Sequence, residues 1–231
     1  MIVAAVVCPH PPLLLRELSG AQDAVPDLRA ACHEALGRAL RLEVTTVVVV
    51  GGADTAGAWS ASLPDAVRRF GTTGAATGPA LPLSLTVGRR LVRSAGWDGP
   101  LLLRSVGWDA DDSEVADVAE DVAGLGDASP HVLLVVMGDG GARRGEKAPG
   151  YLDDRSFGFD ATVEEALRSG DAAVLRDLDP DLAGQLMALG RPAFAVLGAT
   201  VDAAGLRATG EVLHSADPYG VQYTVALWEL R

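Results

Sequence analysis

The sequence predicts an α/β fold: a single domain spanning residues 1–231, with a mostly parallel central sheet, helices on both faces and an antiparallel C-terminal edge. Four short, valine-rich apolar runs alternate with segments of helical periodicity, at residues 2–7, 45–50, 101–106 and 132–137. Alternation of this kind favours a parallel sheet covered by helices. Two strand-like segments without a helix between them follow at residues 206–214 and 219–230, which predicts the antiparallel edge.

Composition limits the class of protein. The chain has 231 residues, of which 48% are hydrophobic, and a formal net charge of −12. An acidic balance of this size argues against nucleic acid and anionic membrane surfaces as partners. Two cysteines form no disulfide framework, and the apolar N-terminus lacks the basic start of a signal peptide. We therefore expect a cytoplasmic protein that binds a small molecule and neither nucleic acid nor a membrane.

The first two predicted strands each end in a polar candidate. Three prolines surround His10 directly after the first strand, so this histidine lies on a stiff backbone at the carboxyl edge of the sheet, where open α/β proteins place ligands. A helix is predicted at residues 25–42, and the second strand then ends in a glycine-rich turn with Asp54. Asp54 is either a ligand-binding carboxylate or a turn residue bonded to its own backbone.

The next elements are predicted from hydrophobic periodicity and from stretches rich in glycine and proline. Residues 59–82 are rich in Gly, Ala, Thr and Pro and suit a lid or a short strand pair. Helices are predicted at residues 84–95 and 111–123, on either side of the third strand. The second helix has an acidic first turn, which favours a helix N-terminus.

A polar loop follows the fourth strand and is the candidate wall of a ligand site. It holds four glycines within eight residues and three basic residues, Arg143, Arg144 and Lys147. Glycines allow close backbone approach, and the cations suit an anionic ligand. The alternative is a solvated surface loop. A helix is predicted to begin at Asp160, with this residue or Thr162 as its cap.

The C-terminal third contains further helical segments before the last two strands. Residues 160–168, 171–176 and 181–189 are predicted to be helical, and residues 192–200 suit either a buried helix or a strand. The two closing strands bracket a turn at residues 215–218.

Three stretches together resemble the class III (LigB-type) extradiol dioxygenases and their Memo-like relatives. Residues 8–14 (CPHPPLL) are similar to the PHPP segment that opens that family. Residues 138–139, 148–151 and 159–160 resemble its central loop, and residues 217–223 (DPYGVQY) resemble its closing strand. The matches occur in the family's order and span nearly the whole chain. The resemblance is also compatible with a homodimer.

The resemblance implies a non-haem Fe(II) site with two histidines and one carboxylate, leaving positions for a catechol-type substrate and O₂. His10 matches the first of these ligands. The position of the second reads Gly51-Gly52-Ala53-Asp54, and the central loop carries arginines in place of a histidine. A replacement set of metal ligands would consist of His10, His214 and either Asp54 or Asp217.

Two functions follow as hypotheses. The first is an extradiol-type oxidoreductase, in which His10, Asp139 and Tyr219 form the catalytic group. Arg143, Arg144, Lys147 and Tyr151 would then contact the substrate. The second is a non-catalytic protein on the same fold that binds an anionic small molecule or peptide through the loop at residues 138–147, whose exposed amides and cations suit carboxylate or phosphate.

Overall fold

A computed structural model of the protein describes residues 1–19, 22–65 and 78–231, and these ranges hold one mixed sheet. Its strands are β1 (Ile2–Cys8), β2 (Thr46–Ala53), β3 (Gly57–Trp59), β4 (Leu101–Gly107), β5 (Val132–Met137), β6 (Ala208–Ala216) and β7 (Tyr223–Leu230). They lie in the order β3-β4-β2-β5-β1-β7-β6. The four central strands are parallel, and β3, β6 and β7 pair antiparallel at the two edges.

The valine-rich runs form the parallel centre because both faces of these strands are buried. Every residue of β2 and β5 is buried, as expected of strands covered by helices on both sides. The predicted fold class is confirmed. The short strand β3 was not predicted, since its three residues are largely exposed and too few to show a period.

Helices cover both faces. They are α1 (Pro26–Leu40), α2 (Leu83–Ser94), α3 (Asp112–Ala128), α4 (Arg155–Ser169), α5 (Ala172–Arg176), α6 (Pro180–Gln185) and α7 (Arg191–Ala203). Helices α1 and α2 bury their apolar side chains on one face of the sheet, and α3 to α7 do so on the other. In the described part of the chain, no helix combines the length and apolar character that crossing a membrane requires.

Three predictions of element bounds are revised, and one open alternative is decided. Helix α4 begins at Arg155, so Asp160 lies buried inside it and is not its cap. The segment at 192–200 is helical and belongs to α7. His214 lies within β6, past a bulge, and not at the end of a strand. Helix α6 stops at Gln185, before the predicted end at residue 189. The lid or strand pair predicted at 59–82 falls largely on residues 66–77, outside the described residues.

Candidate functional site at the carboxyl edge of the sheet

The carboxyl ends of β1, β2, β4 and β5 meet at one edge, as parallel strands require. Strand β7 runs antiparallel to β1, so its first residues lie at this same edge. The edge therefore collects the residues that follow the parallel strands and those that precede β7. Ligand sites of open α/β proteins lie at this edge.

His10 is the most constrained of these residues. Its backbone amide donates a hydrogen bond of 2.7 Å to Oδ1 of Asp139, which follows β5. Its ring is buried, with 4% of the residue exposed. Nδ1 lies 3.5 Å from the same carboxylate oxygen, a distance that permits charge interaction but is too long for a good hydrogen bond. This buried nitrogen has no hydrogen-bond partner among the described residues.

Asp139 and Tyr223 share this buried environment. Burial raises the pKa of Asp139, although the charge and the backbone amide of His10 oppose the shift. Burial also raises the pKa of Tyr223 well above its ordinary value, and the charges of Asp139 and Tyr219 add to this shift. Desolvation disfavours the charged form of an acid. The edge therefore presents a carboxyl group that takes up a proton more readily than a free aspartate, next to a histidine nitrogen without a partner.

Trp108 lies on the other side of His10. The two rings stack with their centroids 5.8 Å apart and an angle of 24° between their planes. Trp108 follows β4, which is separated from β1 by β2 and β5, so the stack lies over the ends of these central strands. Gly52, at the end of β2, makes room for it, because a Cβ atom there would overlap the indole ring. The imidazole is held by packing on one side and by Asp139 on the other.

Ion pairs and hydrogen bonds connect the polar loop after β5 to the rest of the protein. Arg144 bonds Asp160 at 3.0 Å and Asp217 at 2.8 Å, and its guanidinium lies 4.5 Å from the centre of the Phe157 ring. The Gly141 amide donates to Asp160 Oδ1 at 2.8 Å. Arg144 and this amide were predicted to meet a ligand, but their bonding groups are engaged inside the protein.

The other predicted substrate contacts lie farther out. Arg143 is half-buried, and its Nε has no hydrogen-bond partner in the described part of the chain. Lys147 is exposed, and Tyr151 is 62% exposed with a positive φ of 60°. Tyr219 is also exposed, and its hydroxyl donates to the carbonyl of Ala24 at 3.3 Å. The structure does not bring these four side chains to His10 by any hydrogen bond or ion pair.

The predicted replacement metal ligands are not gathered. Asp217 is paired with Arg144, Asp54 is exposed, and His214 lies opposite Val225 in β6. No group of three His, Cys, Asp or Glu side chains that could hold a metal ion occurs in residues 1–19, 22–65 and 78–231. The remaining positions, 20–21 and 66–77, contain none of these four residue types. The residues present do not fit the Fe(II) site that the resemblance implies.

Sequence reasoning proposed His10 and Asp139 for the site, and the structure places them in contact. It missed Trp108 and Gly52, which form the other wall. Trp108 carried a signal, since an aromatic side chain directly follows the third predicted strand. The role of Gly52 depends on the contact between β2 and the residue after β4, which are distant in sequence, so no local pattern reveals it.

Comparisons with known proteins inform the fold alone. No family model matches the chain, and no curated protein matches it. Among solved structures, it is similar to the uncharacterized protein JW3007 from Escherichia coli K12, with 12% sequence identity and a TM-score of 0.55. The match covers 98% of this chain and 99% of that one. The likeness supports the architecture, and the resemblance to the extradiol dioxygenases stays a prediction.

Proposed function

We propose that this protein binds a small hydroxylated ligand of catechol type at the carboxyl edge of its sheet and exchanges a proton with it through His10 and Asp139. The proposal retains the substrate class that the resemblance implies and dispenses with a protein-bound iron. One observation carries it: a buried histidine nitrogen without a hydrogen-bond partner among the described residues lies 3.5 Å from a carboxylate whose side chain is 14% exposed. Buried polar atoms are normally satisfied, so an unsatisfied one at this edge indicates a partner that arrives with the ligand.

The chemistry follows from the environment of the pair. Desolvation raises the pKa of Asp139, which brings its proton affinity closer to that of a working acid or base. A ligand hydroxyl placed against His10 would give its proton to the pair, and the resulting anion would stay close to the imidazole. Positioned acid–base groups of this kind contribute roughly 10²- to 10⁴-fold to a rate.

A second candidate is the binding of an anion by the polar loop. It is favoured by the buried Nε of Arg143, which has no hydrogen-bond partner among the described residues. Arg144 contributes little to it, because this guanidinium is already paired with two carboxylates. The loop therefore offers fewer free donors than its sequence indicates.

The test uses 4-nitrocatechol, whose colour reports the ionisation of its hydroxyl groups, with the whole chain in the presence of a metal chelator. We expect a saturable spectral change toward the ionised form, lost in His10→Ala and strongly reduced in Asp139→Asn. Arg143→Met is the matched control, and its spectral change should equal that of the wild type. If Arg143→Met alone abolishes the change, the loop is the site and the second candidate replaces the first.

Metal analysis tests the competing function, the iron-dependent oxidoreductase. Anaerobically purified wild-type protein and His10→Ala are loaded with Fe(II), desalted and analysed for bound iron. We expect neither protein to retain stoichiometric iron. One tightly held Fe(II) per wild-type chain, absent from His10→Ala, would overturn the metal-free proposal in favour of the iron-dependent oxidoreductase.

A further inference from the structure

A cavity separate from the His10–Asp139 pair lies next to Trp108, on the side of the sheet that α6 and α7 cover. Its volume is about 300 Å³. Residues from the end of β4, from α6 and from the segment leading into α7 line it, and Trp108 and Arg191 are among them. This volume is at the lower end of the range for small-molecule sites. The His10–Asp139 pair is not part of its lining.

Arg191 is the notable group in this cavity. Only 4% of the residue is exposed, yet within residues 1–19, 22–65 and 78–231 its guanidinium makes a single hydrogen bond, from Nη2 to the carbonyl of Ala110 at 2.8 Å. No carboxylate among the described residues lies within the 4.0 Å of an ion pair. Burial lowers the pKa of Arg191, while the more distant Asp112 and Asp179 partly oppose that shift. Buried charges are normally paired, so most donors of this cation are left for a partner.

The rest of the lining is mainly apolar and includes two aspartates. The apolar part of the lining includes the buried side chains of Ala183 and Ala188 and the exposed side chains of Met187 and Leu189. Asp109 and Asp181 are exposed residues of the same lining. An apolar body with one negative charge satisfies this lining, whereas a second negative charge near these aspartates would be repelled.

We propose that this cavity binds a small aromatic monocarboxylate, with its carboxylate paired to the Arg191 guanidinium and its ring against Trp108. A guanidinium offers a planar fork of donors that matches a carboxylate in two parallel hydrogen bonds. Indole and thioether groups pack well on an aromatic ring. This ligand is distinct from the one proposed for the His10–Asp139 pair and does not depend on it.

The test is calorimetric titration of the full-length protein with benzoate at constant ionic strength. Benzamide serves as the uncharged analogue and phthalate as the dianion. We expect benzoate to bind with a stoichiometry of one, and both analogues to bind at least about tenfold more weakly. Arg191→Met should reduce the benzoate affinity by at least about tenfold.

Gly184→Leu keeps the test valid if loss of Arg191 prevents folding. Gly184 lies in α6 and lines the cavity, and a Cβ atom there would meet no heavy atom within 4 Å. Because Gly184 is exposed, a leucine at this position is expected to obstruct the cavity from its solvent side without disturbing the fold or Arg191, and therefore to weaken benzoate binding.

Three results would overturn the proposal. They are absence of benzoate binding to the wild type, equal binding of benzamide, and unchanged binding in Gly184→Leu. The response to 4-nitrocatechol should persist in Gly184→Leu, so failure here and failure of the proposed function are separable.

Discussion

Replacing Arg144 tests whether the polar loop is built for structure or for ligand binding. Arg144 bridges two carboxylates, and Asp160 is the more deeply buried of them, with a side chain only 2% exposed. Arg144→Met removes the cation and keeps an apolar side chain of similar length over Phe157. Asp160 would then retain the Gly141 amide as a donor but lose its ion pair.

The expected loss of stability is large. Removing one partner of a buried pair costs roughly 3–5 kcal/mol, and we take about 3 kcal/mol because the Arg144 side chain is itself 15% exposed. For a chain of 231 residues, each kcal/mol lowers the melting temperature by roughly 2–4 °C. Arg144→Met should therefore melt about 6–12 °C below the wild type.

The pH dependence has a definite sign. Burial raises the pKa of Asp160, and Arg144 is among the groups that oppose this rise. A carboxyl whose pKa is higher in the folded than in the unfolded chain favours folding most when protonated, and this contribution is lost as pH rises from the ordinary value through the raised one. Loss of Arg144 raises this pKa further. The deficit of the variant should be larger at about pH 7.5 than at about pH 5.

Urea unfolding at both pH values, followed by circular dichroism, measures the effect. Arg143→Met is the matched control, because Arg143 is adjacent in sequence and forms no ion pair among the described residues. If the two variants lose equal stability, or if the deficit of Arg144→Met does not change with pH, the structural role assigned to Arg144 is wrong.

Three further predictions concern single residues. Gly52→Ala should cost roughly 1–3 kcal/mol and alter the near-ultraviolet circular dichroism, and Trp108→Ala in the same chain should recover part of this loss; an unchanged spectrum would contradict the contact. Absorbance titration should show Tyr223 ionising only on unfolding, because burial raises its pKa; ionisation of all three tyrosines in the folded chain would contradict its burial. Gly170→Ala should cost at least roughly 1–2 kcal/mol in urea unfolding, because φ is +76° and its Cβ would lie 2.5 Å from the Ala208 carbonyl oxygen; a neutral effect would refute the strain.

Much of the fold could be predicted, because buried parallel strands leave a strong local signal. Continuous runs of branched apolar residues, as in β2 and β5, have few other structural interpretations. The ends of helices were harder to predict from sequence where contacts with distant residues determine them. Asp160 resembles a helix cap in sequence, but its partner Arg144 lies 16 residues away. The true start of α4 did carry a signal that was missed, because Asp153 and Asp154 directly precede Arg155 and aspartate is favoured at helix N-termini.

The sequence predicted only those site residues that can be nominated from a single strand end. His10 and Asp139 each follow a strand, which is enough to nominate them. The position of His214 depends on a bulge between Val212 and His214, and such a shift changes which face a side chain takes. The cavity at Arg191 joins residues 108–109, after β4, to residues 180–191, and the sequence does not show that these two stretches meet.

The contacts around His10 explain how its ring is held. Here the prolines fix the backbone of His10, Asp139 accepts its amide hydrogen bond, and Trp108 stacks on its ring. A side chain at position 52 would exclude that indole, so Gly52 and Trp108 act as one unit. An imidazole positioned in this way keeps a nitrogen available for proton transfer, and that is the chemistry we propose for the edge.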